Sequence, residues 1–357
     1  MEKLCYYVAH NSGLHVMRPN GAGLYTIDEF FEGRTLEHLE GCKERPEVVF
    51  AAVAFDGGYR TVDGGRTWQK IMDGDVRTFA IDAHDEHIVY MGSGPIRLHR
   101  SVDGGTTWEP LDGMLNFPEA VKAKWGPPPA YRDTESAHVR HILIHPDDSN
   151  LLFVGLEHGG LLLSRDGGKT WHDRSAGIGY LDMHMIKNLP SNTERYCVSS
   201  ARGFYRTDDV GVHWYRSEKG MPWAGTAKYC YSHEWRFVPG DPPRMVVCGG
   251  RGSPGVWAAE KTNPHGHVLL SDDYGDSWRF AARGLNHEEP YMPWALAAHP
   301  ANVRTLFCGL GDGARGFLMK PEERGHGALY VSPDRGDSWE PILTGTPAVT
   351  TLWIAPD

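Results

Sequence analysis

Short apolar runs of about six residues recur along the whole chain: VVFAAV (48–53), IVYMGS (88–93), LLFVGL (151–156), RYCVSS (195–200), MVVCGG (245–250) and TLFCGL (305–310). Each is bounded by Gly, Asp, Asn, Ser or Pro, and each is rich in β-branched or aromatic residues, so the runs predict strands buried on both faces rather than helices. One stretch displays a whole unit. VRHILIHP (139–146) reads as a strand, DDSN as a turn, LLFVGL as a second strand, and GLLLS (160–164) as a third.

The third strand of each unit leads into one eight-residue pattern. It occurs at 61–68 (TVDGGRTW), 101–108 (SVDGGTTW), 164–171 (SRDGGKTW), 207–214 (TDDVGVHW), 271–278 (SDDYGDSW) and 332–339 (SPDRGDSW). Six copies of Ser/Thr-x-Asp-x-Gly-x-x-Trp define a repeat protein. The chemistry is that of a hairpin turn: the Asp caps backbone N–H groups, the Gly takes positive φ, and the Trp fills space between neighbouring sheets.

This pattern resembles the Asp-box, or BNR-repeat, β-propellers, a superfamily that includes sialidases, xyloglucan-cleaving glycosidases, sortilin-type receptors and photosystem II assembly factors. The resemblance implies an all-β, seven-bladed β-propeller, a single domain over residues 1–357, with the box joining the third and fourth strands of each blade. The six boxes account for six blades. The seventh is expected from both chain ends. AVTTLWIAPD (348–357) reads as an inner strand without a box, and residues 4–30 read as second and third strands with a degraded box. Shared closure of this kind removes exposed sheet edges.

Composition agrees and narrows the function. A chain of 357 residues is long for one ordinary core, which a repeat architecture resolves; 43 Gly and 24 Pro suit many turns, and 12 Trp with 15 Tyr supply packing mass. The net charge of -10, without a basic cluster, argues against nucleic acid. No run reaches 18 apolar residues and no leader pattern is visible, so no membrane partner and a cytoplasmic location are expected. The six Cys form no CxxC pair, and Cys197, Cys248 and Cys308 lie in apolar runs as small buried hydrophobes.

Box-to-box spacing is 40 residues from Thr61 to Ser101 and 43 from Ser164 to Thr207, but exceeds 60 in the other three intervals. The excess lies in insertions at about 112–137, 251–268 and 311–327. By strand polarity they emerge opposite the boxes, where long loops on a rigid scaffold shape a binding site.

Aligning the repeats on their inner strands yields one column: Glu37, Arg77, Arg140, His184, His233 (or Glu234), Trp294 and Thr350. Charged groups avoid burial unless paired, so such a column predicts a polar axial funnel. His10, Glu157, His158, Arg202, Arg251 and Asp312, at the ends of second strands, are expected around the same mouth, with His38, His138 and His141 nearby. His145 and His299, each before a Pro, read as turn residues.

Two functions compete, with a cytoplasmic sugar-binding protein as a third. In the first, a hydrolase or lyase acts on a small anionic molecule or an oligosaccharide such as an acidic sugar: Arg77 and Arg140 clamp the anion, His184 and His233 move protons, and Glu37, Glu157 or Glu234 supplies a carboxylate. A divalent metal at the axis would draw on His184, His233, His141 and His10. No sialidase residue carries over, since Arg18-Pro19 is the nearest approach to the sialidase Arg-Ile-Pro signature. In the second, the chain is a non-catalytic scaffold or assembly factor with Trp125, Trp223 and Trp257 as an aromatic rim.

Overall fold

The computed structural model describes residues 4–20, 24–126, 137–190, 192–225, 229–285, 289–312 and 326–357. They form seven four-stranded antiparallel sheets, a seven-bladed β-propeller. The first six sheets each use four consecutive strands, with the Asp box between the third and fourth. The closing sheet is ordered Val349–Pro356, Leu4–His10, Gly13–Pro19, Tyr25–Phe30, so the last strand of the chain is its innermost.

The chain divides into two compact units. One comprises residues 37–200 and 205–216 and holds the first four sheets; the other comprises residues 1–36, 201–204 and 217–357 and holds the remaining three. In each unit the core lies between adjacent sheets. In the four-sheet unit Tyr90, Leu98, Val139, Ile142, Val154 and Trp171 pack together, and in the three-sheet unit Val246, Leu270, Leu285, Leu296, Cys308 and Trp339 do the same. All six cysteines are free and buried.

The boxes behave as their chemistry dictates. Asp166 Oδ1 accepts the N–H groups of Lys169 and Thr170 at 3.0 and 2.9 Å, and its Oδ2 accepts the Thr170 hydroxyl at 2.6 Å. The Ser164 hydroxyl accepts the Gly168 N–H at 2.8 Å, and Trp171 Nε1 donates to Gly168 O at 2.9 Å. The same Asp-to-backbone bonds recur at Asp63, Asp103, Asp209, Asp273 and Asp334.

These bonds favour the ionised carboxylate. The Thr170 hydroxyl and N–H hold the Asp166 carboxyl down to about 2, against a smaller opposing effect of burial. Asp63 and Asp209 also reach about 2, although burial, the largest single influence on each, pushes upward. An unfolded Asp titrates near ~3.9, so each box contributes stability that is present above about pH 4 and lost as pH falls toward 2. The boxes' own share of stability, read as the difference in melting temperature between the parent and Asp166→Ala, should therefore be constant from pH 7 to 5 and fall between about pH 4 and 2. Asp166→Ala should cost about 1 to 2 kcal/mol at pH 7, as a lost cap does, and should make the acid limb shallower. An acid limb of unchanged slope would contradict this assignment.

Of the three insertions, residues 127–136 and 313–325 lie outside the described residues. Residues 112–126 contain a 3-10 turn, Asp112–Asn116, and a single helical turn, Glu119–Lys122. The insertion at 251–268 carries the helix Pro254–Glu260, and there Trp257 is buried rather than exposed at a rim. Among the described residues no helix is long and apolar enough to cross a membrane. His145 and His299 are turn residues, their Nδ1 atoms accepting the N–H groups of Asp147 and Ala301 at 3.1 Å each.

Candidate functional site

The inner strands depart from ideal pairing at one recurring place. In an antiparallel ladder an extra residue on one strand is left unpaired, and the bulge re-aims its side chain away from the sheet faces. In the inner strand Asp75–Ile81 the register passes from Val76 to Thr78, leaving Arg77 as the extra residue. In His138–His145 it is Arg140, and in Met183–Leu189 it is His184. The three-sheet unit repeats the device at Trp294 and at Thr350. In Cys230–Val238 the break spans both His233 and Glu234, which is why sequence alignment alone left the two equivalent. The column read from the sequence is thus, in these six blades, a column of bulges.

Within the four-sheet unit the bulged residues build an ionic network. Arg77 donates to both oxygens of Asp75, at 2.7 and 3.0 Å, and its Nη1 reaches Glu37 Oε1 at 3.2 Å. The second oxygen of Glu37 meets Arg140 Nη1 at 3.5 Å. On its other side Arg140 Nε lies 3.4 Å from Glu157 Oε2, which in turn lies 3.2 Å from His138 Nε2. Arg77 and Glu157 are 2% and 1% exposed, whereas the side chains of Glu37 and Arg140 keep 15% and 14%. In the same unit Asp182 stands between His158 at 3.9 Å and His184 at 3.8 Å, and His38 Nδ1 accepts the Phe79 N–H at 3.2 Å.

Burying ions is expensive unless their partners are buried with them. Here, among the described residues, two guanidinium groups face three carboxylates, with His138 beside Glu157. Both arginines expected to clamp an anion are thus engaged by carboxylates of the chain itself.

Sequence reasoning missed Asp75, Asp182 and Phe55. Asp75 starts an inner strand and Asp182 immediately precedes one, and neither carries a motif. Phe55 follows an apolar strand and precedes Asp-Gly-Gly, so it read only as part of a turn. Its guanidinium neighbour Arg77 lies 4.5 Å from the ring centroid, and its N–H donates to Asp75 Oδ1 at 3.1 Å. Phe55 has φ of 58°, in a turn closed by the Asp56 N–H on Val53 O at 3.1 Å. Gly or Asn holds such a position cheaply; a bulky side chain there costs about 1 to 2 kcal/mol.

The three-sheet unit uses its candidates otherwise. His233 Nδ1 donates to Trp294 O at 2.7 Å, and the two rings meet edge to face at 4.9 Å, with Tyr231 and Trp257 packed around them. Glu234 Oε2 accepts the Leu296 N–H at 2.9 Å and Arg236 at 3.3 Å, so it ties two inner strands together. Arg202 lies over the Tyr229 ring at 5.0 Å, and Arg251 pairs with Glu260 at 2.9 Å. Burial raises the Asp312 carboxyl, and burial followed by the His15 charge pushes His10 down to about 3. His141 is buried beside Gly155. Among the described residues no group of three or more His, Cys, Asp or Glu is placed to hold a metal ion, the expected set His184, His233, His141 and His10 included.

Fold and boxes together define the class: a seven-bladed β-propeller carrying six Asp-box turns. A BNR/Asp-box repeat model matches residues 162–173, the turn of the third blade. Among solved structures the chain is similar to the GH74 enzyme of Niastella koreensis (17% identity, TM-score 0.62, covering 86% of this chain and 45% of that one). It is similar to the GH74 xyloglucanase from Xanthomonas campestris (16%, 0.58, 86% and 45%). It is also similar to YCF48 bound to D1 peptide (16%, 0.56), with 91% of this chain and 92% of that one covered. The chain thus spans less than half the length of the GH74 enzymes and nearly all of YCF48. Likeness at such identities is likeness of fold. A search of the curated proteins finds no match.

Proposed function

We propose that the chain is a saccharide-binding propeller whose site is the charged network of the four-sheet unit, with Glu37 and Arg140 as its contact groups. The observation that carries this reading is the cross-pairing itself. A carboxylate and a guanidinium, each partly exposed and each held from behind by buried partners, offer acceptors and donors in fixed geometry, which suits vicinal hydroxyl groups. Because both arginines are already paired with carboxylates of the chain, a neutral ligand suits the site better than an acidic one.

Glycoside hydrolysis is a second reading, favoured by the spacing of Glu37 and Glu157. Contacts of 3.5 and 3.4 Å to one guanidinium keep these two carboxylates within roughly 9 Å of each other, below the upper limit of about 9.5 Å for a glycosidase pair. The binding reading ranks first because both carboxylates are already engaged by Arg140 and Glu157 is fully buried.

The test is thermal shift with cellotetraose, maltotetraose and tetragalacturonate, since a ligand that binds only the folded state raises its melting point. A neutral tetrasaccharide at 100 times its Kd should stabilise by about 2.7 kcal/mol, and Glu37→Gln should weaken that binding tenfold or more. Preferential stabilisation by tetragalacturonate would restore the anion clamp and remove this reading. Release of reducing ends that Glu157→Gln abolishes would put hydrolysis first.

A further inference from the structure

We propose that Phe55 is an aromatic platform for the sugar ring at this site, an assignment that rests on the saccharide reading above. Three observations converge on it. Phe55 is 55% exposed, unusually open for a residue so close to a buried ionic network. Its ring is anchored on Arg77 at 4.5 Å, and its N–H is anchored on Asp75, so the side chain stands at a fixed place above the Asp75–Arg77–Glu37 chain of contacts. It occupies a left-handed backbone position that Gly or Asn would hold without strain.

Each observation points the same way. A ring held for packing would be buried rather than exposed. A strained, exposed and anchored aromatic has the properties of a contact surface: large, rigid and cheap in conformational entropy. A saccharide presents apolar C–H groups on one face of its ring and hydroxyls at its edge. An aromatic plane beside a carboxylate–guanidinium pair matches both parts, as ligand sites combine aromatic walls with a few placed polar groups.

The ring is also tied to the network electrostatically. The guanidinium below it is attracted to the π face, so Phe55 and Arg77 order each other. A ligand stacked on Phe55 would then be placed relative to Glu37, which shares Arg77.

The experiment uses the full chain and cellotetraose, with maltotetraose in parallel, measured by titration calorimetry and by melting. Phe55→Asn should leave the melting temperature equal or higher, because Asn tolerates the left-handed position, while weakening saccharide binding at least tenfold. Phe55→Trp should restore the affinity to within threefold of the parent. Glu37→Gln serves as the separate control on the site. If the parent binds, Glu37→Gln weakens binding and Phe55→Asn does not, the platform is overturned and the saccharide reading stands. If the parent binds neither tetrasaccharide, both fall together. A loss of affinity in Phe55→Asn that Phe55→Trp fails to recover would also overturn the platform, since it would trace to the turn rather than to the ring.

Discussion

Removing residues 348–357 should leave a chain that does not fold: no cooperative melting transition, and aggregation on expression. The deleted strand pairs with Leu4–His10 from Leu4 opposite Pro356 to His10 opposite Val349. It buries Val349, Leu352, Ile354 and Ala355 against Phe307, Leu329 and Val8. Thr350 Oγ1 adds a hydrogen bond to Leu36 O at 2.8 Å. The fit leaves no slack, because a Cβ on Gly309 would collide with Val349 and one on Gly311 with Ala348. Each large aliphatic side chain contributes about 1.5 to 3 kcal/mol, so three of them alone approach the whole stability of an ordinary domain, about 5 to 15 kcal/mol. The cut also leaves Leu4–His10 with one edge unpaired, an invitation to aggregation. A circular permutant should be tolerated. Because Leu4 and Pro356 are paired, a short Gly-Ser linker can join the ends, with new termini opened at the exposed box turn around Lys169. Circular dichroism melting of truncation and permutant decides the matter. A truncated protein that melts with the parent would show that the closing strand is dispensable.

That closure was legible because its signals are local. A box needs Asp for its cap, Gly for its φ and Trp for its plug, and no other residues do those jobs as well. An inner strand with no box after it, at the end of a chain whose start lacks one, can then only be the missing partner. The column of bulged residues was legible for a related reason. Arg77, Arg140 and His184 break an otherwise apolar period, and a polar residue at a position that ought to pack signals a change of direction.

What the sequence did not show was the partner of each charge. Asp75 is two residues from Arg77, yet nothing in the spacing says that a bulge will turn one back onto the other. Glu157 and His138 sit on neighbouring strands whose register is fixed only by pairing. Arg77 and Arg140 therefore looked like unpaired donors awaiting an anion, when the fold supplies Asp75, Glu37 and Glu157 to meet them. Phe55 was hidden for the opposite reason. Positive φ is announced by Gly or Asn, and a Phe in that conformation carries no such mark.

Arg77→Met should be among the most damaging single substitutions in the four-sheet unit, costing about 3 to 5 kcal/mol, the usual penalty for breaking a buried ion pair by removing one partner. The Arg77 side chain is 3% exposed, against 13% for Asp75 and 15% for Glu37, so neither carboxylate can recover full hydration when it goes. Met is chosen because its length and flexibility fill the space left by the aliphatic part of Arg, so the loss reports charge rather than a cavity. The penalty arises from the stranded carboxylates, which gives a sharper check than the loss alone. Arg77→Met combined with Asp75→Asn should recover a substantial part of the stability, because it removes the carboxylate left without its guanidinium while Glu37 keeps Arg140, whereas Asp75→Asn in the parent should destabilise by leaving Arg77 paired with Glu37 alone. The sign of the Asp75→Asn effect thus reverses with the residue at 77, and urea unfolding of the four proteins in the cycle measures it. A loss below about 1 kcal/mol for Arg77→Met, the level of a solvated surface pair, would mean that water replaces the guanidinium freely. The network would then be an exposed patch rather than the rigid backing that positions Glu37, and the saccharide site built on it would lose its physical basis.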